Sequence, residues 1–287
     1  MLKNKIFELC VKLITLISFV ILFSIILFIL KEAYPLFSQM NIKDFLLGDR
    51  WRPVSARPSM GIFNIIMGTI YVGFVGVLLA FPIGIGTSIF LSCIIPKKLR
   101  DNLKPIINLL AAIPSVIYGF IGLVIVVKFF ENLEMASGES VLAGGIVLSV
   151  MVLPFMIGIS EETMSKLRKK YEGASINLGV SKYYMISELI LPSSIKSIFV
   201  SLVLSLGRAF GETMAVMMVI GNAPIFPRIL GKAQTISSLI ALEMGMVEIG
   251  SLHYNGLFAS AVVLMLMIFF INVGINYFSY KFIGDNL

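Results

Sequence analysis

The stretch Leu206 to Val216, LGRAFGETMAV, sets an arginine and a glutamate, Arg208 and Glu212, near the middle of an otherwise apolar run. Apolar residues continue upstream to Ile195 and downstream to Ile220, which matches the ~20 residues that a helix needs to cross a bilayer. A charged side chain at that depth costs at least ~2.5–3.5 kcal/mol, so it is expected to face a protein interior or a wet path. In one continuous helix the four-residue spacing would put both side chains on one face, close enough to pair. Two readings fit. One is a buried ion pair that fixes helix packing. The other is an anion site, in which the planar donor fork of the guanidinium meets phosphate or carboxylate oxygens and Glu212 neutralises Arg208 when the site is empty. Gly207 and Gly211 flank the pair at a small-xxx-small spacing that would admit a neighbouring helix.

The elements that must hold these residues are apolar runs. At 58% hydrophobic and only 14% charged over 287 residues, the chain is too apolar for a soluble domain of ordinary composition. We expect an all-α integral membrane protein, one domain over 1–287, with six transmembrane helices at 13–30, 61–95, 106–130, 141–160, 195–220 and 256–278. The second run carries Pro82, Gly84 and Gly86, and Pro114 and Pro154 are predicted kinks in the third and fourth. Lys31 to Met60, with Trp51, Arg52, Pro53 and Pro58, reads as an external loop with an aromatic at the interface, and Glu131 to Ser140 as an external turn. Thr235 to Met246, TISSLIALEMGM, is too short to span and reads as a re-entrant or interfacial helix.

Most of the 23 Lys and Arg residues fall in the segments Lys3 to Lys12, Lys97 to Lys104 and Lys166 to Lys196, with Lys281 at the end. The positive-inside rule places these segments and both termini in the cytoplasm, so the expected location is the cell membrane, multi-pass. Cys10 and Cys93 sit near cytoplasmic ends of apolar runs, and no disulfide or metal site is expected. His253, Glu243 and Glu248 are expected at the solvated surface.

The stretch 161–194 is the longest internal loop. Tyr171 to Leu178 can form a short helix, Gly179 suits its C-terminal cap, and Ser181 can cap a second short helix to Ile190 before Leu191 and Pro192 re-enter the membrane. Ile176, Leu178, Tyr184, Ile186 and Leu189 among the charges suit insertion into a groove on a partner, and equally an ordinary structured loop. The chain has no GxxxxGK[ST] phosphate loop, no dinucleotide glycine pattern and no Ser/His/Asp or HExxH set. No catalytic residue is expected, and any nucleotide hydrolysis must come from another chain.

Taken together, WRP at Trp51 to Pro53, AAIPSVIYGFIGL at Ala111 to Leu123, GASINLG followed by LILP, and LGRAFGETMAV resemble the permease subunits of the Pst high-affinity phosphate ABC importers, of the PstC type. The resemblance runs from about Trp51 onward. It implies a MetI-like type I importer permease, working beside a second, PstA-like permease, two ATPase subunits and a periplasmic or lipid-anchored phosphate-binding protein, among membrane lipids and without nucleic acid. ATP and Mg would be used by the partner ATPase, and no cofactor or metal would be bound here. By the same resemblance Arg208, Glu212, Thr213, Ser115 and Tyr118 line the phosphate path, and Glu172, Gly173, Ala174, Gly179, Leu191 and Pro192 belong to the loop that couples to the ATPase. Counting back from Gly179, the usual glutamate position is Gly173, and Glu172 lies one residue earlier. Two alternatives remain at this point: a permease for another oxyanion such as sulfate or molybdate, and an ATP-independent secondary transporter using Arg208 and Glu212 as a proton relay.

Overall fold

The computed structural model describes residues 2–133 and 138–283, with side chains between 7 and 274. The side chains of Lys3, Lys5 and Lys281, and the middle of the Glu131 to Ser140 turn, lie outside these ranges.

The chain folds into helices with one short hairpin. The first helix, α1 (Leu2–Gln39), is apolar on every side and packs only along its second half, where Ala33 and Leu36 are buried against the rest. After α2 (Ile42–Leu47), capped by the Asn41 side chain, the strands β1 (Trp51–Arg52) and β2 (Ser59–Met60) pair antiparallel with Trp51 opposite Met60. The stretch expected as a loop over Lys31 to Met60 is therefore ordered, and Trp51 is buried in a core with Phe45, Met60, Ile62 and Leu257.

The second span is α3 (Phe63–Ile89), which runs through Pro82 and ends in a π-helical turn, Phe90–Ile94. The basic segment after it is no loop. It forms α4 (Lys97–Ala112), an amphipathic helix with its Leu103 and Ile107 turned to Leu91, Ile95 and Ile157, while Ile106 and Leu109 stay exposed. Pro114 then breaks the chain: it has extended backbone and starts a new helix, so it is a boundary, not a kink within a 106–130 span. That helix comprises α5 (Ser115–Ile121), a π-helical turn (Gly122–Val127) and α6 (Lys128–Asn132).

The fourth span, α7 (Val141–Asn177), starts at a Ser140 cap and continues without a break far beyond residue 160. At 1.5 Å per residue its 37 residues measure ~55 Å, well over the ~30 Å hydrocarbon thickness. The predicted short helix at Tyr171 to Leu178 is thus the tip of this long one. Gly179 follows with φ +67°, the left-handed conformation that favours glycine. Ser181 then caps the next helix as expected, its Oγ accepting from the Tyr184 amide. That helix is also one long element: α8 (Lys182–Tyr184), a π-helical turn (Met185–Ile190) and α9 (Leu191–Gly211). Leu191 and Pro192 lie in its interior.

The apolar run through Ile220 is not one helix. It breaks at Glu212, whose backbone is extended, and resumes as α10 (Met214–Met217). A turn follows at Gly221 and Asn222, both with positive φ. The short helix expected within Thr235 to Met246 is present as α11 (Ile236–Glu243), started by a reciprocal Thr235/Ser238 capping box. The chain ends in α12 (Leu252–Ile283), which lies along α1 and α9. Among the described residues six helices are long and apolar enough to cross a membrane: Phe7–Gln39, Phe63–Ile94, Ser115–Asn132, Val141–Asn177, Lys182–Gly211 and Leu252–Gly274.

The centre is α3 packed on α7 and α9. Small residues permit this: a Cβ on Gly76 would stand 2.8 Å from Leu148 Cβ and 3.3 Å from the Gly145 carbonyl, so the two helices approach almost backbone to backbone. Gly207 and Gly211, the glycines singled out beside Arg208, do not serve this purpose within the chain. Gly207 faces the Asn272 amide at ordinary contact distance, and Gly211 faces open space.

Candidate functional site

Arg208 lies in the last turn of α9, where the free carbonyls of the helix end favour a cation. Its guanidinium carbon stands 4.2 Å from the centre of the Phe155 ring on α7, within the range of a cation–π contact. No ion pair joins it to Glu212. The expected pairing fails because it needs one unbroken helix, and α9 ends at Gly211. Among the described residues Arg208 has neither an ion-pair nor a hydrogen-bond partner, and its side chain is exposed on the face that the single chain leaves open. Gly158, one turn along α7 from Phe155, also has nothing within 4 Å of a Cβ.

The break after Arg208 is held from behind. Ser237 of α11 donates its hydroxyl to the Glu212 carbonyl at 2.9 Å, and the Thr213 hydroxyl donates to the Gly211 carbonyl at 3.3 Å. Phe210 turns inward against Gly73 of α3, where a Cβ would collide with the ring. So the backbone is fixed on its buried side, and Arg208 and half-buried Glu212 and Thr213 are presented on the other.

Depth follows from register. Gly122 meets both Val147 and Val219 at one level. Counting from there towards the Gly179 end, Ser115 lies ~10 Å and Phe155 ~12 Å away along their helices. Gly119 packs against Ala215, where a Cβ would lie 2.9 Å from the Ala215 Cα, so α10 is seated on α5 just beyond the Glu212 break. The first turn of α5, the Phe155 ring and Arg208 thus share one stratum inside the apolar thickness. Of the two α5 residues expected to line a path, Ser115 is half-buried at the helix start. Tyr118 is half-buried, and its hydroxyl donates to the Leu110 carbonyl at 2.7 Å, which ties α5 to α4.

The second candidate site is the Gly179 turn, carried clear of the apolar slab by α7. Ile176, Leu178 and Tyr183 are 71%, 78% and 81% exposed, an apolar knob at its tip. Tyr184 is exposed with them, whereas Ile186 and Leu189 point inward against the cluster around Cys93, Met164, Met185 and Ile190, contrary to their expected role on a partner. Gly173 has open space, and the Ala174 carbonyl accepts the Leu178 amide. Glu172 is occupied within the chain: its Oε1 accepts from Nε and Nη2 of Arg168 at 3.1 and 2.9 Å. Leu191 and Pro192 line an apolar groove of about 450 Å³ with Phe81, Ile85 and Phe199.

Three clusters were not anticipated. Glu161, taken as part of a loop, is 2% exposed and accepts from Lys104 Nζ at 2.6 Å and Ser165 Oγ at 2.7 Å, while Arg100 donates to that same Ser165. These contacts pin α4 to α7. At the opposite end Glu243 and His253, expected to be solvated, form a contact of 2.7 Å, and the Trp51 indole N–H donates to the same carboxylate at 2.9 Å. They line a cavity of about 600 Å³ with Arg52, Asn222 and Gln234. Phe155 is the third; in an apolar run nothing in its own neighbourhood distinguishes it.

Residues 82–283 match the family described as binding-protein-dependent transport system inner membrane component. The chain is 38% identical over 238 residues to the probable ABC transporter permease protein YqgH of Bacillus subtilis, covering 82% of this chain and 77% of that protein. It is 30% identical over 291 residues to the probable phosphate transport system permease protein PstC of Methanocaldococcus jannaschii, covering 93% and 92%. Among solved structures it is similar to an inward-facing conformation of the MetNI methionine ABC transporter, with a TM-score of 0.59 at 18% identity over 76% of this chain and 94% of that one. At that identity the likeness concerns the fold, which is the MetI-like permease fold.

Proposed function

The chain belongs to the family of binding-protein-dependent transport system inner membrane components, and from that membership as an ABC importer permease we propose that its cargo is inorganic phosphate. The observation that carries the reading is Arg208: a planar donor fork, unpaired among the described residues and exposed on an open face in the last turn of a membrane-length helix. Relatives named as phosphate permeases over most of their length support the same cargo.

In this reading the open face is completed by a second, PstA-like permease, and the anion crosses between the two. Arg208 donates to two phosphate oxygens at once, which a guanidinium does better than an ammonium. The Phe155 ring holds the guanidinium in place without neutralising it, so a counter-charge arrives only with the cargo. Glu212 has no side-chain partner among the described residues. As a carboxylate it accepts the hydroxyl of a protonated phosphate and repels a fully ionised sulfate, which supplies discrimination. The break between α9 and α10 leaves Glu212 and Thr213 half-buried beside the open face, with Glu212 unpaired to Arg208 among the described residues. Ser115 adds a hydroxyl from the facing helix start.

The Gly179 turn is the docking point for an ATPase subunit that binds ATP and Mg. The length of α7 and the exposed Ile176, Leu178 and Tyr183 support this, as such a knob fits a groove on a partner. That end then lies in the cytoplasm with both termini, in line with the basic residues gathered there. A binding protein delivers phosphate at the Trp51 end, and the whole of 1–287 acts as one permease domain. Family membership leaves no support for the ATP-independent relay.

The test is ATP-driven uptake of radiolabelled phosphate into vesicles holding this chain with its partner permease, ATPases and binding protein, with Arg208→Ala in parallel. Saturable uptake that is lost in the variant is expected. Competition by sulfate as strong as by phosphate would assign the pathway to oxyanions in general.

A further inference from the structure

The end of α3 carries a pattern that the functional reading does not use. A helix leaves its last carbonyls without intrahelical donors, and they are satisfied by other groups or by water. Here two of them are taken by cations from the two arms of the Gly179 turn. Arg168 Nη1, on α7, donates to the Ser92 carbonyl at 2.9 Å. Lys182 Nζ, at the start of α8, donates to the Ile94 carbonyl at 3.2 Å. Both carbonyls belong to the π-helical turn Phe90–Ile94, at the negative end of the α3 dipole, where cations are favoured. The other edge of the Arg168 guanidinium is held by Glu172, so its planar fork spans from the loop to the span without slack. Arg168 is only 22% exposed. Cys93, in the same π-helical turn, is buried in a cluster with Met164, Met185 and Ile190.

We propose that Arg168, seconded by Lys182, is a positioning residue that clamps the Gly179 turn to the end of α3, so that both move as one body. The proposal rests on the reading that this turn docks an ATPase. It also explains the shifted glutamate: Glu172 orients Arg168 within the chain and leaves docking to the apolar tip. Movement delivered to the turn then enters α3 directly, and α3 backs the substrate site from its buried side at Gly73, against which the Phe210 ring is seated two residues from Arg208.

The experiment compares wild type, Arg168→Gln and Arg168→Lys in the assembled importer, all carrying Cys10→Ser so that Cys93 is the one remaining thiol. Import per ATP hydrolysed and the rate at which a maleimide labels Cys93 are both read. Loss of hydrogen bonds from a charged donor corresponds to a factor of about ten or more. Arg168→Gln is therefore expected to assemble and hydrolyse ATP, import about tenfold less per ATP, and label at Cys93 about tenfold faster. Arg168→Lys, which keeps one donor for Ser92, is expected to restore most of both. Import per ATP equal to wild type, or import that falls only in step with assembly, would overturn the proposal. If the wild type imports no phosphate, the cargo assignment fails, and Cys93 labelling alone decides the clamp: a rate unchanged by Arg168→Gln would sink it.

Discussion

The guanidinium of Arg208 rests 4.2 Å from the centre of the Phe155 ring, one helix to the other, and no carboxylate among the described residues pairs with it. An aromatic face orients a cation and leaves its charge in place, whereas a carboxylate would cancel it. The contact thus differs from an internal salt bridge in leaving the guanidinium charge unneutralised.

Phe155→Leu keeps bulk and removes the ring's negative face. A cation–π contact is worth ~0.5–2 kcal/mol according to its solvation, so the KM for phosphate should rise roughly twofold to thirtyfold with assembly unchanged. Initial uptake rates across a phosphate series check this; an unchanged KM would detach Phe155 from the site.

Gly76→Ala should destabilise the chain by ~1–3 kcal/mol, the usual cost of overpacking, because the added Cβ meets Leu148 at 2.8 Å. Gly158→Ala adds the same methyl where the chain offers open space. Thermal melting of the isolated protein in detergent should fall for the first and not for the second. If Gly158→Ala nonetheless lowers uptake, the second permease occupies that space.

Lys104→Met leaves the Glu161 carboxylate buried with Ser165 as its one remaining partner. The cost should be ~1–3 kcal/mol, moderated because Lys104 itself is 42% exposed. Adding Glu161→Gln should recover part of it, since the orphaned charge then disappears. A double-mutant cycle on melting temperature measures the coupling, and a coupling of zero would mean that α4 is held by its apolar face alone.

Gly179→Ala introduces no collision, for nothing lies within 4 Å of a Cβ there. Its effect should come from the backbone alone: a left-handed φ costs a residue with a Cβ ~1–2 kcal/mol. Gly179→Asn should cost less. Co-purification of the ATPase with each variant should follow the order Gly, Asn, Ala; if Ala retains the ATPase as fully as Gly does, the turn geometry is not what the partner reads.

Six apolar stretches and the caps at Gly179 and Ser181 were legible in the sequence because each depends on chemistry within a few residues. The break at Glu212 was not, since hydrophobicity runs unbroken through it and only the fold of Ser237 onto the Glu212 carbonyl shows what holds it. The α4 helix was obscured by its own charges, which resemble a loop until their partners on α7 are known. Glu161 meets Lys104 across 57 residues, and Trp51 meets Glu243 across 192. No local pattern announces a contact of that span. Arg208 stood out by its type within an apolar run, while its pairing with Glu212 was misjudged because a helical spacing was assumed across a point where the helix stops.

Pinned to α7 through Lys104 and Arg100 while Ile106 and Leu109 stay bare, α4 works as a float. Its apolar side seeks the acyl boundary and its basic side the headgroups, so the level at which it rides fixes how far α7, and Arg208 beside it, sit below the lipid surface. A thinner or thicker bilayer is then met by tilt or by deformation of the lipid, each at a fraction of a kcal/mol per Å, rather than by the helices sliding vertically. The level of Arg208 and Phe155 is then referenced to the leaflet that α4 rides on.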